Sequence, residues 1–439
     1  MISAMSATEA LPSRAINKAM LRLIPLIVCL YVLNYLDRVN VSFAKLTMNA
    51  ELGFSEAVYG VGAGVFFVGY FLFEVPSNLV LERVGARVWL ARIMISWGLI
   101  SSAMMFVRGP ISFYILRFLL GAAEAGFAPG VLLYLTYWFP LREQARAVAW
   151  FLTSTAVAGL IGSPLAGLLL KLDGCTFAGH ALAGWQWLFL IEGVPSVLGG
   201  LVVLLFLTDR PSQAAWLSPA ERDWLTSHIE AERRQRRSLG HTSLWAGMVN
   251  RRVWLLNITY CAIMFGFQGM NYWLATIIKQ ITGAKDNLHV GLITAIPFGV
   301  AVVAMVLVGR HSDRTGERHG HVAGCCLIGA LGLIACAMTD SPVPAIVCLS
   351  IAAAGIWSTL GPFWALPPLF LSGTAAAAGI ALINSIGNLG GGFLGPALMG
   401  VLEKETCSYH AGVLTAGGAM LIAGGLSLLL RPARRGRER

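Results

Sequence analysis

The feature that most constrains this chain is the recurrence of apolar runs, many of them about 20 residues long, the length a helix needs to cross a bilayer. They are expected as helices over residues 21–43, 56–81, 88–107, 111–138, 145–170, 186–208, 252–278, 288–309, 322–338, 343–370, 376–402 and 408–430. Composition agrees with twelve membrane helices. Hydrophobic residues make up 56% of the 439 and charged residues only 12%, with mean hydropathy +0.70. A soluble protein carries roughly 25% charged residues. The 49 glycines also suit membrane helices, where glycine is more frequent than in soluble ones.

The net charge of +10 raises nucleic acid as a partner, and its distribution argues against it. With the N-terminus placed in the cytoplasm, 24 of the 32 cations fall in inside segments. Six, namely Lys45, Arg108, Lys171, Lys279, Lys285 and Lys404, fall in outside loops, and Arg38 and Arg117 fall within helices. The basic excess therefore reports orientation, with both termini inside. The first apolar run is too long for a signal-peptide core and is expected to stay as helix 1. Six of the eight cysteines lie in apolar helices. Cys175 and Cys407 lie in outside loops, where a bridge between them is the weaker expectation because it would restrain the two halves.

Two sequence anchors expose a repeat. ERVGAR at 82–87 and DRTGER at 313–318 are offset by 231 residues, and Pro164 in GLIGSPLAG and Pro396 in GGGFLGPALMG by 232. The chain thus reads as a cytoplasmic N-terminus (1–20), a six-helix bundle (21–208), a polar linker (209–251), a second six-helix bundle (252–430) and a basic tail (431–439). Parallel repeats of this kind place a transporter's substrate site between the halves. In the linker, Ser218-Pro219-Ala220-Glu221 reads as a helix start with a capping box. Trp224, Leu225 and Ile229 supply the apolar face of a short amphipathic helix.

The loop motifs resemble the cytoplasmic signature of the major facilitator superfamily. The wider run YLDRVNVSFA, FEVPSNLVLERVGAR, RFLLGAAEAGFAPG, YWFP, FLIEGVPS and NSIGNLGGGFLGP is similar to its anion:cation symporter family. The resemblance covers nearly the whole chain, with Glu82 standing where the superfamily usually has aspartate. It implies an all-α membrane protein of two pseudo-symmetric six-helix bundles. It also implies transport of organic anions such as sugar acids, tartrate or aromatic carboxylates, commonly with protons. In the motifs, Glu82, Arg83, Gly85 and Arg87, and Asp313, Arg314, Gly316 and Arg318, are expected to form a conformational clasp: glycine makes a tight turn while the charges bond helix ends.

Six charges are expected inside the span: Asp37, Arg38, Glu74, Arg117, Glu124 and Glu192. Charge there is costly and functional by default. The repeat places Gln268 opposite Asp37, Gly269 opposite Arg38, Cys348 opposite Arg117 and Gly355 opposite Glu124, so charge chemistry belongs to the first half. Counted from the helix ends at 43 and 111, Asp37 and Arg117 both sit roughly 9 Å deep, with Glu124 roughly 10 Å deeper. Arginine presents a planar fork to a carboxylate. By the resemblance, Asp37 and Glu124 are the proton sites and Arg38 and Arg117 bind or organise the anion; a structural salt-bridge network is the alternative. Glu74 and Glu192 precede prolines and have no assigned role.

Asn34, Tyr35, Gln268, Asn271, Tyr272, Asn384 and Asn388 are polar groups in membrane helices. Tyr35 and Asn388 match family positions that approach substrate. Gln268, Tyr272 and Asn384 join them as candidate substrate contacts, each equally able to bond a neighbouring helix. Trp273, Trp357 and Trp364 are candidates to flank a flat substrate. The expectation is a monomeric, proton-coupled symporter of a small organic carboxylate in the plasma (inner) membrane, with no metal and no cofactor. Anion exchange and a transporter-like sensor are the alternatives. An enzyme is disfavoured, because phosphate-loop, H-E-x-x-H and C-x-x-C patterns are all missing.

Overall fold

The structure is a computed structural model that describes residues 2–238, 251–367 and 373–431. The linker beyond 238, the last residues of the 343–370 helix and the tail from 432 lie outside the described residues. The described residues form helices α1 (Ile2–Val39), α2 (Val41–Leu52), α3 (Glu56–Val84), α4 (Ala86–Ala103), α5 (Pro110–Glu124), α6 (Phe127–Trp138), α7 (Leu141–Leu169), α8 (Gly184–Phe206) and α9 (Pro219–Ser238). There follow α10 (Arg251–Thr282), α11 (Asn287–Thr315), α12 (His319–Cys336), α13 (Pro342–Ser358), α14 (Leu360–Trp364), α15 (Gly373–Gly387), α16 (Leu394–Thr406) and α17 (His410–Leu429). A π-helical turn, Asn388–Phe393, joins α15 to α16. A two-stranded ribbon, Thr176–Phe177 with His180–Ala181, is the described β-structure.

Twelve stretches of the described residues are long and apolar enough to cross a membrane. Large apolar side chains on their outer faces are exposed, as with Ile296, Val300, Val303 and Leu307 along α11. Lipid is the solvent for such faces, and helices satisfy their backbone groups internally there. The chain divides into two compact units, Met1–Phe54 with Val65–His241, and Ser55–Gly64 with Thr242–Arg439.

The helices differ from the sequence reading where polar residues lower hydropathy without ending a helix and where a span is interrupted within its length. The first span runs from Leu11 to Leu52, not 21–43. The helix breaks for one residue at Asn40, whose φ and ψ stay helical, and it ends at Gly53, which takes a left-handed φ of 67°. Lys45, expected in an outside loop, is therefore helical and buried. The 111–138 span is broken between α5 and α6, where Gly126 has φ 90°. The 343–370 and 376–402 spans are each interrupted, after Ser358 and at the π turn respectively.

In the first unit, α3 and α5 meet backbone to backbone. A methyl group at Gly69 would overlap the Phe118 carbonyl, and one at Gly121 the Phe66 carbonyl. Small residues let membrane helices approach this closely. In the second unit, Gly391 of the π turn fits against the Cys261 carbonyl of α10 in the same way. All eight cysteines are free.

Helix α9 begins with the capping box: Glu221 N–H donates to Ser218 Oγ at 3.3 Å, and Ser218 N–H to Glu221 Oε2 at 2.9 Å. Lys18 of α1 bonds Glu221 at 2.8 Å, and this contact, with the Ser218 amide, holds the Glu221 carboxyl below its ordinary range. Leu225 and Ile229 are buried, and Trp224 is half-buried.

The two loop motifs turn on glycines that take positive φ, 99° at Gly85 and 67° at Gly316. In the first copy Glu82, Arg83 and Arg87 are exposed, and the cap of α4 comes from outside the motif: Arg87 N–H donates to Asp209 Oδ1 at 2.7 Å. A carboxylate at a helix N-terminus answers both free amides and the dipole. In the second copy Arg318 pairs with Asp313 at 2.7 Å, while Glu317 accepts from Arg431 and from the Gly320 amide at 2.8 Å. Partial burial pushes the Glu317 carboxyl up, but Arg431, the Gly320 amide and His321 outweigh it and bring it down to about 2.

Gly121→Ala should lower the stability of the purified protein by about 1–3 kcal/mol, the usual cost of overpacking, read as a lowered melting temperature in detergent. The Glu317 carboxyl is depressed on folding from 4.5 to about 2. Its contribution is therefore complete above pH 4.5 and lost as pH falls toward 2. Glu317→Gln should cost about 1 kcal/mol at pH 7, solvent screening included, and the gap to wild type should narrow in melts below pH 4.5.

Candidate functional site

The charged candidates of the first unit fall into two groups, because Asp37 and Arg38 are successive residues and point about 100° apart on α1. Arg38 forms a buried ion pair with Glu124, near the end of α5. Its guanidinium also lies over three rings, at 5.3 Å from Phe66, 5.5 Å from Tyr70 and 5.8 Å from Tyr35. Such faces attract a desolvated cation. Arg117 is fully buried and lies 5.1 Å from the same Phe66 ring. One phenyl group thus serves both arginines, and the close packing at Gly69 and at Gly121 holds α3 near enough to α5 for it to do so. The Arg38 Nε has no hydrogen-bond partner among the described residues, so the guanidinium keeps a donor beyond its bond to Glu124.

Asp37 turns the other way. Its carboxylate accepts from Trp97 Nε1 at 3.0 Å and Ser101 Oγ at 2.6 Å, both on α4, and from Ser196 Oγ on α8. Indole N–H only donates, whereas a hydroxyl can donate or accept. The cradle therefore suits a carboxylate, and by rotating a serine hydroxyl it also suits the protonated acid.

This corrects the depth reckoning. The first helix continues to Leu52, nine residues past the end used in the count, so Asp37 is not fixed at the level of Arg117. Arg38 is level with Glu124, its partner. Glu74 and Glu192 are both buried. The two Glu192 oxygens have no hydrogen-bond partner among the described residues.

In the second unit, Gln268, Asn271 and Tyr272 are buried on α10. Asn271 Nδ2 faces Gln268 Oε1 at 3.4 Å, and the Tyr272 carbonyl accepts from Tyr59 Oη at 2.8 Å. Asn388 Nδ2 donates to Asn384 Oδ1 at 3.0 Å, and both amides are half-buried. Asn388 opens the π turn, a feature that often marks functional positions. Trp357 is packed against Phe267 and Phe298, and Trp273 against Tyr59. Trp364 sets its edge against Tyr260.

The sequence reading missed Phe66, Tyr70, Trp97, Ser101 and Ser196, the residues that hold the charges. A signal existed for four of them. Phe66 and Tyr70, and Trp97 and Ser101, are i,i+4 pairs, each presenting one helix face. Ser196 carried no such mark.

The sequence model of the Major Facilitator Superfamily matches residues 27–396. A protein of Agrobacterium vitis named "Putative tartrate transporter" is 49% identical over 423 residues, covering 96% of this chain and 92% of its own. A "Quinolone resistance transporter" of Acinetobacter baumannii is 43% identical over 392 residues, with 89% of each chain covered. Among solved structures, a bacterial homologue of the human lysosomal transporter Spinster, inward-facing and occupied, superposes with TM-score 0.74 at 17% identity. It covers 93% of this chain and 96% of its own, and shows the fold alone. With twelve membrane-spanning helices in two six-helix bundles and a family match over most of its length, this chain is a multi-pass membrane protein of the major facilitator superfamily, a transporter and not an enzyme, of a kind consistent with the superfamily's anion:cation symporters.

Proposed function

We propose that the protein is a proton-coupled symporter of a small organic carboxylate, working by alternating access in the plasma membrane with both termini in the cytoplasm. The observation that carries this reading is the separation of two buried acids. Glu124 is held by Arg38, while Asp37 is held by three neutral donors. Arg38 and Arg117 receive the substrate carboxylate, since guanidinium forks match it and stay charged at any working pH. An arriving anion competes with Glu124 for Arg38. A buried carboxylate that loses its cation is costly, so Glu124 takes up a proton. Asp37 carries the second proton. The loaded protein then changes state with less buried charge than either partner alone would bring.

Tyr35 sets the position of the Arg38 guanidinium. Gln268, Tyr272, Asn384 and Asn388 supply hydrogen bonds and shape rather than charge. The loop motifs, with Glu82, Arg83, Gly85, Arg87, Asp313, Arg314, Gly316 and Arg318, re-form their contacts as the halves 21–208 and 252–430 exchange states. The protein acts as a monomer. Tartrate is the first substrate to try, from the name of the relative in Agrobacterium vitis. A second reading, export of flat aromatic compounds, is favoured by the name of the Acinetobacter baumannii relative. Quinolone and tartrate tested side by side in proteoliposomes decide between them.

In proteoliposomes an inward proton gradient should accelerate tartrate uptake, and Glu124→Gln should weaken that dependence, leaving the part carried by Asp37. Uptake that ignores the gradient but requires internal counter-anion would establish exchange instead. Arg117→Lys replaces a fork with a point charge and should raise KM for tartrate about tenfold or more; an unchanged KM would remove Arg117 from the substrate site.

A further inference from the structure

The acid that this cycle leaves unused is Glu192. It lies on α8 one turn before Ser196, whose hydroxyl donates to Asp37. It is only 5% exposed, and neither carboxyl oxygen has a hydrogen-bond partner among the described residues. Its polar neighbours are Asn40 and, within electrostatic reach, Asp37. Asn40 is itself 2% exposed, and both atoms of its amide lack hydrogen-bond partners among the described residues.

The order of these contacts is informative. Along α1, Asn40 follows Asp37 by one turn; along α8, Glu192 precedes Ser196 by one turn. The two segments therefore run antiparallel, and the step beyond the Asp37–Ser196 contact pairs Asn40 with Glu192. Asn40 is also the residue at which α1 gives way to α2. Four polar groups thus line one path through the interior of the first unit: Glu192, Asn40, Ser196 and Asp37. At the repeat offset of 231, Ser196 corresponds to Ser427, but Glu192 corresponds to Ala423. The serine recurs in both copies and the acid belongs to the first alone.

Asp37 needs such a path. Its cradle of Trp97, Ser101 and Ser196 lies on α4 and α8, on a different side of α1 from the Arg38–Glu124 pair, so protons that reach Glu124 do not thereby reach Asp37. We propose that Glu192 is a further proton-carrying residue that, with Asn40 as the bridging amide, delivers protons to Asp37 through the interior of the first unit. The proposal rests on the reading of Asp37 as a proton site. A buried carboxylate with no cation beside it and only the Asn40 amide for a donor is costly, whereas the neutral acid is readily accommodated. The amide donates to the ionised acid and accepts from the protonated one, so Asn40 holds Glu192 in either state, while the Ser196 hydroxyl can accept one proton as it gives its own to Asp37. Among the described residues, the charged group acting on Glu192 is Asp37. Proton transfer between the two acids therefore moves one charge along the path without creating a second.

The test uses the full chain in liposomes, with melting temperature as the check on folding. In infrared spectra, Glu192→Gln should lose part of the carbonyl band of protonated carboxyl groups; an identical band in wild type and variant would overturn the proposal. This arm needs no transport and stands even if wild-type tartrate uptake proves independent of protons, a result that would sink the symport reading instead. In uptake assays, Glu192→Gln should slow proton-driven tartrate uptake roughly tenfold or more, the scale of a lost acid–base group, and flatten its pH profile. Glu192→Asp should restore both. Wild-type rate and pH profile in Glu192→Gln would overturn the assignment. If Glu192→Gln does not fold, Asn40→Ala keeps the acid and removes the bridge. Slowed proton-driven uptake in that variant supports the route, and unchanged uptake overturns it.

Discussion

Arg38 and Glu124 are a pair of opposite charges sealed inside a membrane protein, and each makes the other tolerable. Removing either leaves a buried ion without compensation, which is far more damaging than the pair's net contribution is helpful. The surrounding structure is arranged around that fact. Gly69 and Gly121 bring α3 against α5, which places Phe66 and Tyr70 beside the guanidinium. Phe66 then serves Arg117 as well. A ligand that offers a carboxylate to this cluster meets a cation already oriented and already desolvated. It has to displace Glu124, and that displacement is what can couple an anion to a proton.

Asp37 shows how strongly one residue of helical rotation matters. Its neighbour Arg38 faces α3 and α5, while Asp37 faces α4 and α8 and is held by an indole and two hydroxyls. The acid that stands next to Arg38 in the sequence has no arginine in its cradle. On the proposed reading these two environments serve two tasks, Glu124 sensing the anion and Asp37 holding a proton through the change of state.

Much of the fold was legible in the sequence because a bilayer imposes a length and an apolarity that few other structures share. Twelve spans, the duplicated loop motif and the capping box at Ser218–Glu221 all follow from local rules. The helix ends were less legible. Lys45 and Asn49 lower hydropathy without ending a helix, so the first span was cut short and Asp37 was assigned a depth from a boundary that does not exist. The ion pair was half legible: both charges were named, but which neighbour each would take depends on helix rotation and on close approach at Gly121, which hydropathy does not encode. The cradle of Asp37 was the least legible part, since Ser101 and Ser196 are ordinary small residues in apolar helices. The π turn at Asn388–Phe393 is likewise a backbone feature that its glycines permit but do not announce.

The central claim is that an anion bound at Arg38 displaces Glu124, which then takes up a proton. Calorimetric titration of tartrate into the purified protein, in two buffers of equal pH and different ionisation enthalpy, tests it most directly. The account predicts an apparent enthalpy that changes with the buffer by the amount required for proton uptake on binding, and no such change in Glu124→Gln. Binding with the same enthalpy in both buffers would contradict it.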